Sequence, residues 1–318
     1  MTITVRAMRA EDVDAADRVF RRAFGTFFGL AEPMTFRGDA ELVRTRFATD
    51  PAAAFVAEEG GRIVGSVHAM DWGSAAALGP VAVDPDDWGR GVARELVPPI
   101  LELFARRGVT LAGLFTHPHS PKHIRLYERF GFEVGSLTAV MAKEVVAREG
   151  RAEDVELLSA LPPSARRDAV LGCRTVASSL YDGLDLGREI EAVVERKLGD
   201  CLLLRERGGP PGGAPIAGFA VCHHGAGSEA IAGTLFVKFA AVRKAAEADF
   251  AELLGGSERL AAALGAGRVV AGVNTGRRQA YRLMRAAGFR TTMNGVAMHR
   301  PDQPGYDRPE IFAIDDLR

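Results

Sequence analysis

The second half of this 318-residue chain repeats the order of the first, and that repetition limits the fold more than any other feature of the sequence. Residues 3–8 (ITVRAM) alternate as a strand does, then run into a segment where Val13, Ala16, Phe20 and Ala23 recur at helical spacing. Asp12 and Asp14 lie near the positive end of that helix. A Gly/Pro-bearing loop leads to a second amphipathic helix, about Asp39 to Thr49, ended by Asp50-Pro51. Residues 53–72 read as a hairpin turning at Glu59-Gly60-Gly61, and residues 74–85 as a third strand, which Gly79-Pro80 should distort. A helix (Val92 to Arg107), a strand (Thr110 to Phe115), a helix (Pro121 to Phe130) and a last hairpin (Glu133 to Lys143) complete the series. Pro98-Pro99 falls inside the first of these helices, where interior proline costs about 3 kcal/mol, so a kink or restart near Val97 is expected.

From residue 201 the order returns: a hairpin over 201–224, a strand over 234–242, a helix from Glu247 to Ala266 and a strand over 268–273. Residues 277–289 (RRQAYRLMRAAGF) copy the rhythm of 123–132 (HIRLYERFGF), and Arg9–Val13 recurs literally as Arg151–Val155. Internal duplication explains this most simply. The expected division is 1–145, a connector over 146–163 carrying Pro162-Pro163, and 164–318. Each half is α/β, a mixed sheet with helices on both faces.

Composition narrows the partners. Forty Lys+Arg stand against forty-one Asp+Glu, so there is no general attraction to phosphate backbones, and nucleic acid is not expected as a partner. No apolar stretch approaches the roughly 18–20 residues that span a bilayer, and the opening residues turn acidic before any apolar block develops, so neither membrane nor secretory leader is expected. Cys173, Cys201 and Cys222 are odd in number and confined to the second half, which argues against a disulfide framework and for a reducing cytoplasm.

The chemistry concentrates between Leu78 and Val97. A strand ends at Val83, an acidic turn follows, and Gly89-Arg90-Gly91-Val92-Ala93 opens a helix. Glycines let consecutive main-chain N–H groups approach a ligand, and the unpaired amides of a helix's first turn point at it with the dipole behind them. Such a turn suits a pyrophosphate, with Arg90 and Arg94 able to add charge-assisted contacts. A bare pair of glycines would as readily be a simple turn; its surroundings decide.

Here the sequence resembles the GNAT superfamily of N-acetyltransferases, whose signature is a strand ending V-x-P followed by Q/R-x-x-G-x-G/A at a helix start. Val83-Asp84-Pro85 and Trp88-Gly89-Arg90-Gly91-Val92-Ala93 match it, except that Trp88 replaces the opening Gln/Arg. The resemblance covers roughly residues 3–145. It implies acetyl-CoA as cosubstrate, with the pyrophosphate on Trp88, Gly89, Arg90, Gly91, Val92, Ala93 and Arg94. It also implies the acyl-pantetheine along Val81-Ala82-Val83, bonded by the main chain of Val81 and Val83. Members commonly place a tyrosine four residues before a Gly-Phe pair, and Tyr127 with Gly131-Phe132 fits. A phenol of pKa near ~10 can hand its proton to a departing thiolate whose conjugate acid is near ~8.5. Ser120 stands where relatives often have an asparagine touching the cofactor.

His117, His119 and His123 crowd one proline-rich turn, with His68 on the hairpin, but no paired cysteine or acidic ligand accompanies them, so no metal is expected. One of them, or Glu58, Glu59 or Asp71, could relay the proton of the substrate ammonium. In the second half Met284 stands where Tyr127 does, Met cannot donate a proton, and no glycine follows the third strand. That half is expected to be a degenerate, GNAT-like partner that shapes the acceptor side.

The expected function is transfer of an acetyl group from acetyl-CoA to a primary amine by direct attack, with Tyr127 as general acid. No cysteine falls in the first half, which disfavours an acyl-cysteine intermediate. A non-catalytic acyl-CoA sensor is the rival, favoured by Trp88. The tandem layout also resembles mycothiol synthase, which acetylates a small amino-thiol sugar, in architecture and not in motif. Acceptor (small molecule or peptide), acyl preference, base and homo-oligomer formation stay open. The aromatics of Thr26–Gly38 could line an acceptor pocket or pack on the second half.

Overall fold

The computed structural model describes residues 3–145, 156–207, 214–243 and 246–318. The Arg151–Val155 repeat and residues 146–155 of the connector lie outside them. In the first half the order is β1 (Thr4–Ala7), α1 (Val13–Phe27), α2 (Leu42–Thr49), β2 (Ala54–Glu59), β3 (Arg62–Trp72), β4 (Ala75–Val83), α3 (Val92–Arg107), β5 (Leu111–Thr116), α4 (Pro121–Glu128) and β6 (Glu133–Glu144). The second half supplies β7 (Glu156–Leu157), α5 (Pro163–Leu180), α6 (Gly187–Glu195), β8 (Gly199–Arg205), β9 (Ile216–His223), β10 (Thr234–Val242), α7 (Glu247–Ala263), β11 (Arg268–Asn274), α8 (Arg278–Ala286), β12 (Arg290–Arg300) and β13 (Ala313–Ile314).

The expected β2–β3 hairpin is present, with Gly60 and Gly61 at φ +57° and +82°. Two expectations fail. Residues 133–144 form one strand, β6, and not a hairpin, because both of its edges are taken by strands of the second half. α3 also runs through Pro98 and Pro99 without a break. The carbonyls that those prolines leave unbonded belong to Arg94 and Glu95, which are exposed, so water can replace the missing donors.

All strands join one mixed sheet in the order β1-β2-β3-β4-β5-β12-β6-β11-β10-β9-β8-β7, with β13 pairing β10. Strand β12 therefore inserts between β5 and β6, and β6 lies between β12 and β11. Strand β6 of the first half and β12 of the second thus each pair with strands of the other half. Helices cover both faces. Leu96, Ile100 and Phe104 of α3 pack on Val67, Leu78 and Leu114 of the first-half sheet, while Ala16 and Phe20 of α1 and Val43 of α2 pack on Val56 and Ala82 from the opposite side. In the second half, Phe250 and Leu254 of α7 cover one face. Cys173 and Val176 of α5 cover the other and reach Trp72 and Leu111 of the first half. Each fully buried aliphatic or aromatic side chain of this kind contributes about 1.5–3 kcal/mol, so the shared core ties the halves together.

Candidate active site

Strands β4 and β5 run parallel and pair only at Ala75–Ala77 with Leu111–Gly113. Beyond Ala77 they part, because Gly79-Pro80 bulges against β3, where the register jumps from Val67↔Val81 to Ala69↔Leu78. Meanwhile β5 turns its other edge to β12, through Phe115↔Ala297 and Thr116↔Val296. The Asp84 amide donates to the Val64 carbonyl (2.9 Å), and Val83 lies opposite Gly65. Alternation along an antiparallel ladder then turns the main-chain groups of Val81 and Val83 away from β3, into the fork. The Val83 carbonyl accepts the Trp88 indole N–H at 2.8 Å, which leaves the Val83 amide for a ligand.

At the mouth of the fork the chain turns through Gly89 and Gly91, at φ +81° and +85°, the latter capping α3. A Cβ at either position would meet nothing within 4 Å, so the requirement for glycine is the backbone angle and the space in front is open. Among the described residues the amides of Gly89, Gly91, Val92 and Ala93 have no partner. Those of Trp88, Arg90 and Arg94 are used, bonding to Pro85, Asp87 and Gly91. Four bare amides at the positive end of a sixteen-residue helix form an anion cradle.

Behind the fork lies a cavity of about 940 Å³. Its lining takes in Val81, Val83, Trp88, Gly89, Gly91, Val92, Ala93, Arg94 and Tyr127 of the residues expected from the sequence. Ala82, Arg90 and Ser120 do not line it. Ala82 packs under α1, and Ser120 is buried at the start of α4 without capping it. The Arg90 guanidinium lies on Glu59, bonding both carboxylate oxygens at 2.7 and 2.8 Å, and on Asp87. It braces the turn from behind and is not offered to a ligand. Sequence reasoning missed Lys122, whose ammonium rests 4.6 Å from the centre of the Trp88 ring at the cavity wall. Its position in the first turn of α4, one turn ahead of Leu126 and Tyr127, was the available signal.

Tyr127 is buried on α4, edge-on to Phe132 with ring centres 6.2 Å apart. Burial pushes its phenol well above the ordinary value of about 10, so it carries its proton throughout the neutral range. His123 is one turn before it on the same face, and both line the cavity with His117. Burial, with smaller contributions from neighbouring cations and imidazoles, brings His117 and His123 down to about 4. Both are therefore neutral at pH 7. The other candidates for proton relay are committed elsewhere: Glu58 to Arg6, Glu59 to Arg90, and Asp71 to Arg107 at 2.8 Å. His68 is buried away from the lining, with neither ring nitrogen partnered among the described residues, and burial brings it down to about 3.

Of the two roles expected for the aromatics of the 26–38 loop, the structure shows them at the cavity wall, and it is Arg37 that reaches the second half. Phe27, Phe28 and Phe36 line the cavity, while Arg37 donates to the Glu229 carbonyl of the second half at 2.8 Å. Below them Arg46 bonds the Gly79 carbonyl (2.7 Å), the Glu229 carboxylate (3.3 Å) and the Arg318 main-chain oxygen. Lys238 joins Glu229 to Glu189 at 2.7 and 2.9 Å. Burial alone would raise the Glu229 carboxyl, but Lys238 and Arg46 outweigh it and hold the group far below the usual carboxylate range. The members of this network come from both halves, and nothing local in the sequence pairs them.

A parallel fork, an amide-lined turn opening a helix and a tyrosine lining the same cavity agree with what the chain matches: residues 19–132 fit the acetyltransferase (GNAT) family model. Residues 19–132 carry the GNAT acetyltransferase pattern. The chain is 37% identical over 134 residues to the mycothiol acetyltransferase of Acidimicrobium ferrooxidans, which is 39% of this chain and 41% of that one. The mycothiol acetyltransferase of Thermobispora bispora is 36% identical over 90 residues, 26% of this chain and 30% of that one. The matches thus span less than half the length of either relative. Over the full length the GNAT fold is shared with a putative acetyltransferase from Pyrococcus horikoshii, at TM-score 0.68 and 16% identity over 99% of this chain and 95% of that one. It is shared as well with a GCN5-related N-acetyltransferase from Sphaerobacter thermophilus, at TM-score 0.61 and 19% identity over 95% and 96%.

Proposed function

We propose that this protein is an N-acyltransferase that moves an acetyl group from acetyl-CoA to a primary amine by direct attack. The observation that carries the reading is the open fork between β4 and β5, running from four unpartnered amides to the protonated phenol of Tyr127. Acetyl-CoA would supply a thioester carbonyl and a thiolate leaving group. The amides of Gly89, Gly91, Val92 and Ala93 bind the diphosphate, with Lys122 and Arg94 adding charge at the rim. Main-chain groups of Val81 and Val83 hold the pantetheine as an added strand would be held. The acceptor nitrogen forms the new C–N bond as the C–S bond breaks, and Tyr127 gives its proton to the departing sulfur. Burial raises the cost of that transfer, so it must be coupled to bond breaking. The nitrogen's own proton leaves by way of His117 or His123, which are neutral; burial makes them weak bases, so this transfer too must be coupled to formation of the C–N bond.

Relatives named for mycothiol favour a small-molecule acceptor. The second half is a substrate-shaping partner that lends Glu229 and Phe236 to the cavity. No helix of the described residues is long and apolar enough to cross a membrane, and Cys173, Cys201 and Cys222 are free and buried, which fits a cytoplasmic protein.

Calorimetry with coenzyme A and thiol release from acetyl-CoA over a panel of amines test the reading. Tyr127→Phe should keep coenzyme A binding and lose about a hundredfold or more in turnover. Indifference to coenzyme A would overturn the assignment. Binding with no thiol release from any amine would leave an acyl-CoA sensor.

A further inference from the structure

We infer that the acceptor end of the cavity takes an amine with an apolar, ring-bearing body. The inference rests on the acyltransferase reading above and names the substrate class of that site. The cavity divides by chemistry. Its cofactor side is β4, the glycine turn and α4. Its other side is built from the end of α1, the loop after it and the second half, and that side is aromatic. Phe24, Phe28 and Phe36 stack with ring centres 5.5 Å apart. Phe27 lies 4.9 and 5.0 Å from His117 and His123. Phe115 and Phe236 close the far wall.

This side also leaves large apolar groups open at its rim, as Trp88 is open on the cofactor side. Phe28 is 38% exposed and Ile231 is 42% exposed, and both line this one cavity. Apolar side chains left open at the rim of a concave pocket mark a place where an apolar ligand covers them. Neutral polar groups are few on this side: apart from Tyr127, the uncharged hydroxyls of the lining are Thr116 and Thr292. The charges at the back, Arg37, Arg46 and Glu229, are tied together through Glu229 and Lys238, with the Nε of Arg37 and of Arg46 left unpartnered among the described residues. The first-half loop is tied to the 225–233 loop by Glu41 N to Ser228 O (2.8 Å), Ala232 N to the Asp39 carboxylate (2.8 Å) and Arg37 to Glu229 O, which holds these two stretches of the wall against each other.

Phenethylamine, ethylamine and glucosamine should be compared in the thiol-release assay on the full chain. The expected KM for phenethylamine is about tenfold or more below that of the other two. Phe28→Ala and Ile231→Ala, both at half-exposed positions, should each cut the preference for phenethylamine over ethylamine about fivefold or more, with an unchanged melting temperature showing that the fold is kept. Equal or better use of glucosamine, or an unchanged preference in both variants, overturns the inference. Should no amine release thiol, phenethylamine is titrated calorimetrically onto the protein saturated with coenzyme A. Binding weakened by Phe28→Ala supports the inference and absence of binding overturns it. Failure of acetyl-CoA itself to bind is the separate signature of a wrong acyltransferase reading.

Discussion

The two halves of the molecule build the same fork and treat it differently. In the first, β4 and β5 pair over Ala75–Ala77, part, and leave a cavity between them. In the second, β10 and β11 pair over Thr234–Val237 and part in the same way, but β13 fills the gap, with Ala240↔Ile314 and Ala241↔Ala313 in antiparallel register. Phe312 and Ile314 pack there among Phe250 and Val273. Where the first half has Ser120 ahead of its helix, the second has Arg277, fully buried, donating to the Ala313 carbonyl (2.9 Å) and Asp315 (2.8 Å) and paired with Asp307 (3.0 Å). A guanidinium thus clamps the chain's own segment where the first half is open. The difference between a site and a core is here the presence of one two-residue strand and its anchor, on an otherwise equivalent frame.

The strongest test of how far the halves depend on each other is to end the chain after residue 145. Without β12, strands β5 and β6 become bare edges, and the fragment should show no cooperative thermal transition by circular dichroism and should aggregate. Next in size, Arg277→Met strands the buried carboxylates of Asp307 and Asp315 and should cost about 3–5 kcal/mol in urea unfolding. Ser120→Ala, the matching change in the open half, should cost about 1 kcal/mol or less. In the glycine turn, Gly91→Val forces a branched residue to φ +85° and should weaken coenzyme A at least about tenfold by calorimetry, corresponding to the roughly 1–2 kcal/mol strain of the left-handed region. The smallest effect is protonic. His117 and His123 titrate near 4 in the fold, against about 6.5 in an unfolded chain. Between those values the unfolded state binds more protons, so these groups make stability rise with pH over that window and fall on acidification. The slope of melting temperature against pH over that range should shrink in the double variant His117→Asn, His123→Asn.

Much of this was legible from residue patterns. Alternation and helical spacing marked most of the elements, and the glycines at 89 and 91 marked a turn whose backbone angles only glycine adopts readily. Local rules found what local forces decide. They failed where partners are remote. Residues 133–144 read as a hairpin because nothing in that stretch announces that its neighbours are strands near residues 270 and 295. Arg90 read as a phosphate ligand because its actual partner, Glu59, is thirty-one residues away on another strand. Ser120 matched by position in a motif, yet its burial turned it from the cavity. The wall formed by Ile231, Phe236 and the Arg46–Glu229 pair had no sequence signal, since it exists only after the sheet has closed across both halves.

That closure has a mechanical consequence. Many two-lobed proteins admit their ligands by opening like a clamshell about a flexible joint. Here the seam between lobes is itself hydrogen-bonded ladder, β5 to β12 to β6 to β11, and a ladder cannot gape without breaking. On the acyltransferase reading, acceptor and product would enter and leave by movement of the rim, such as the stretches around Phe28–Arg37 and Gly225–Gly233, while the lobes keep a fixed bearing on each other.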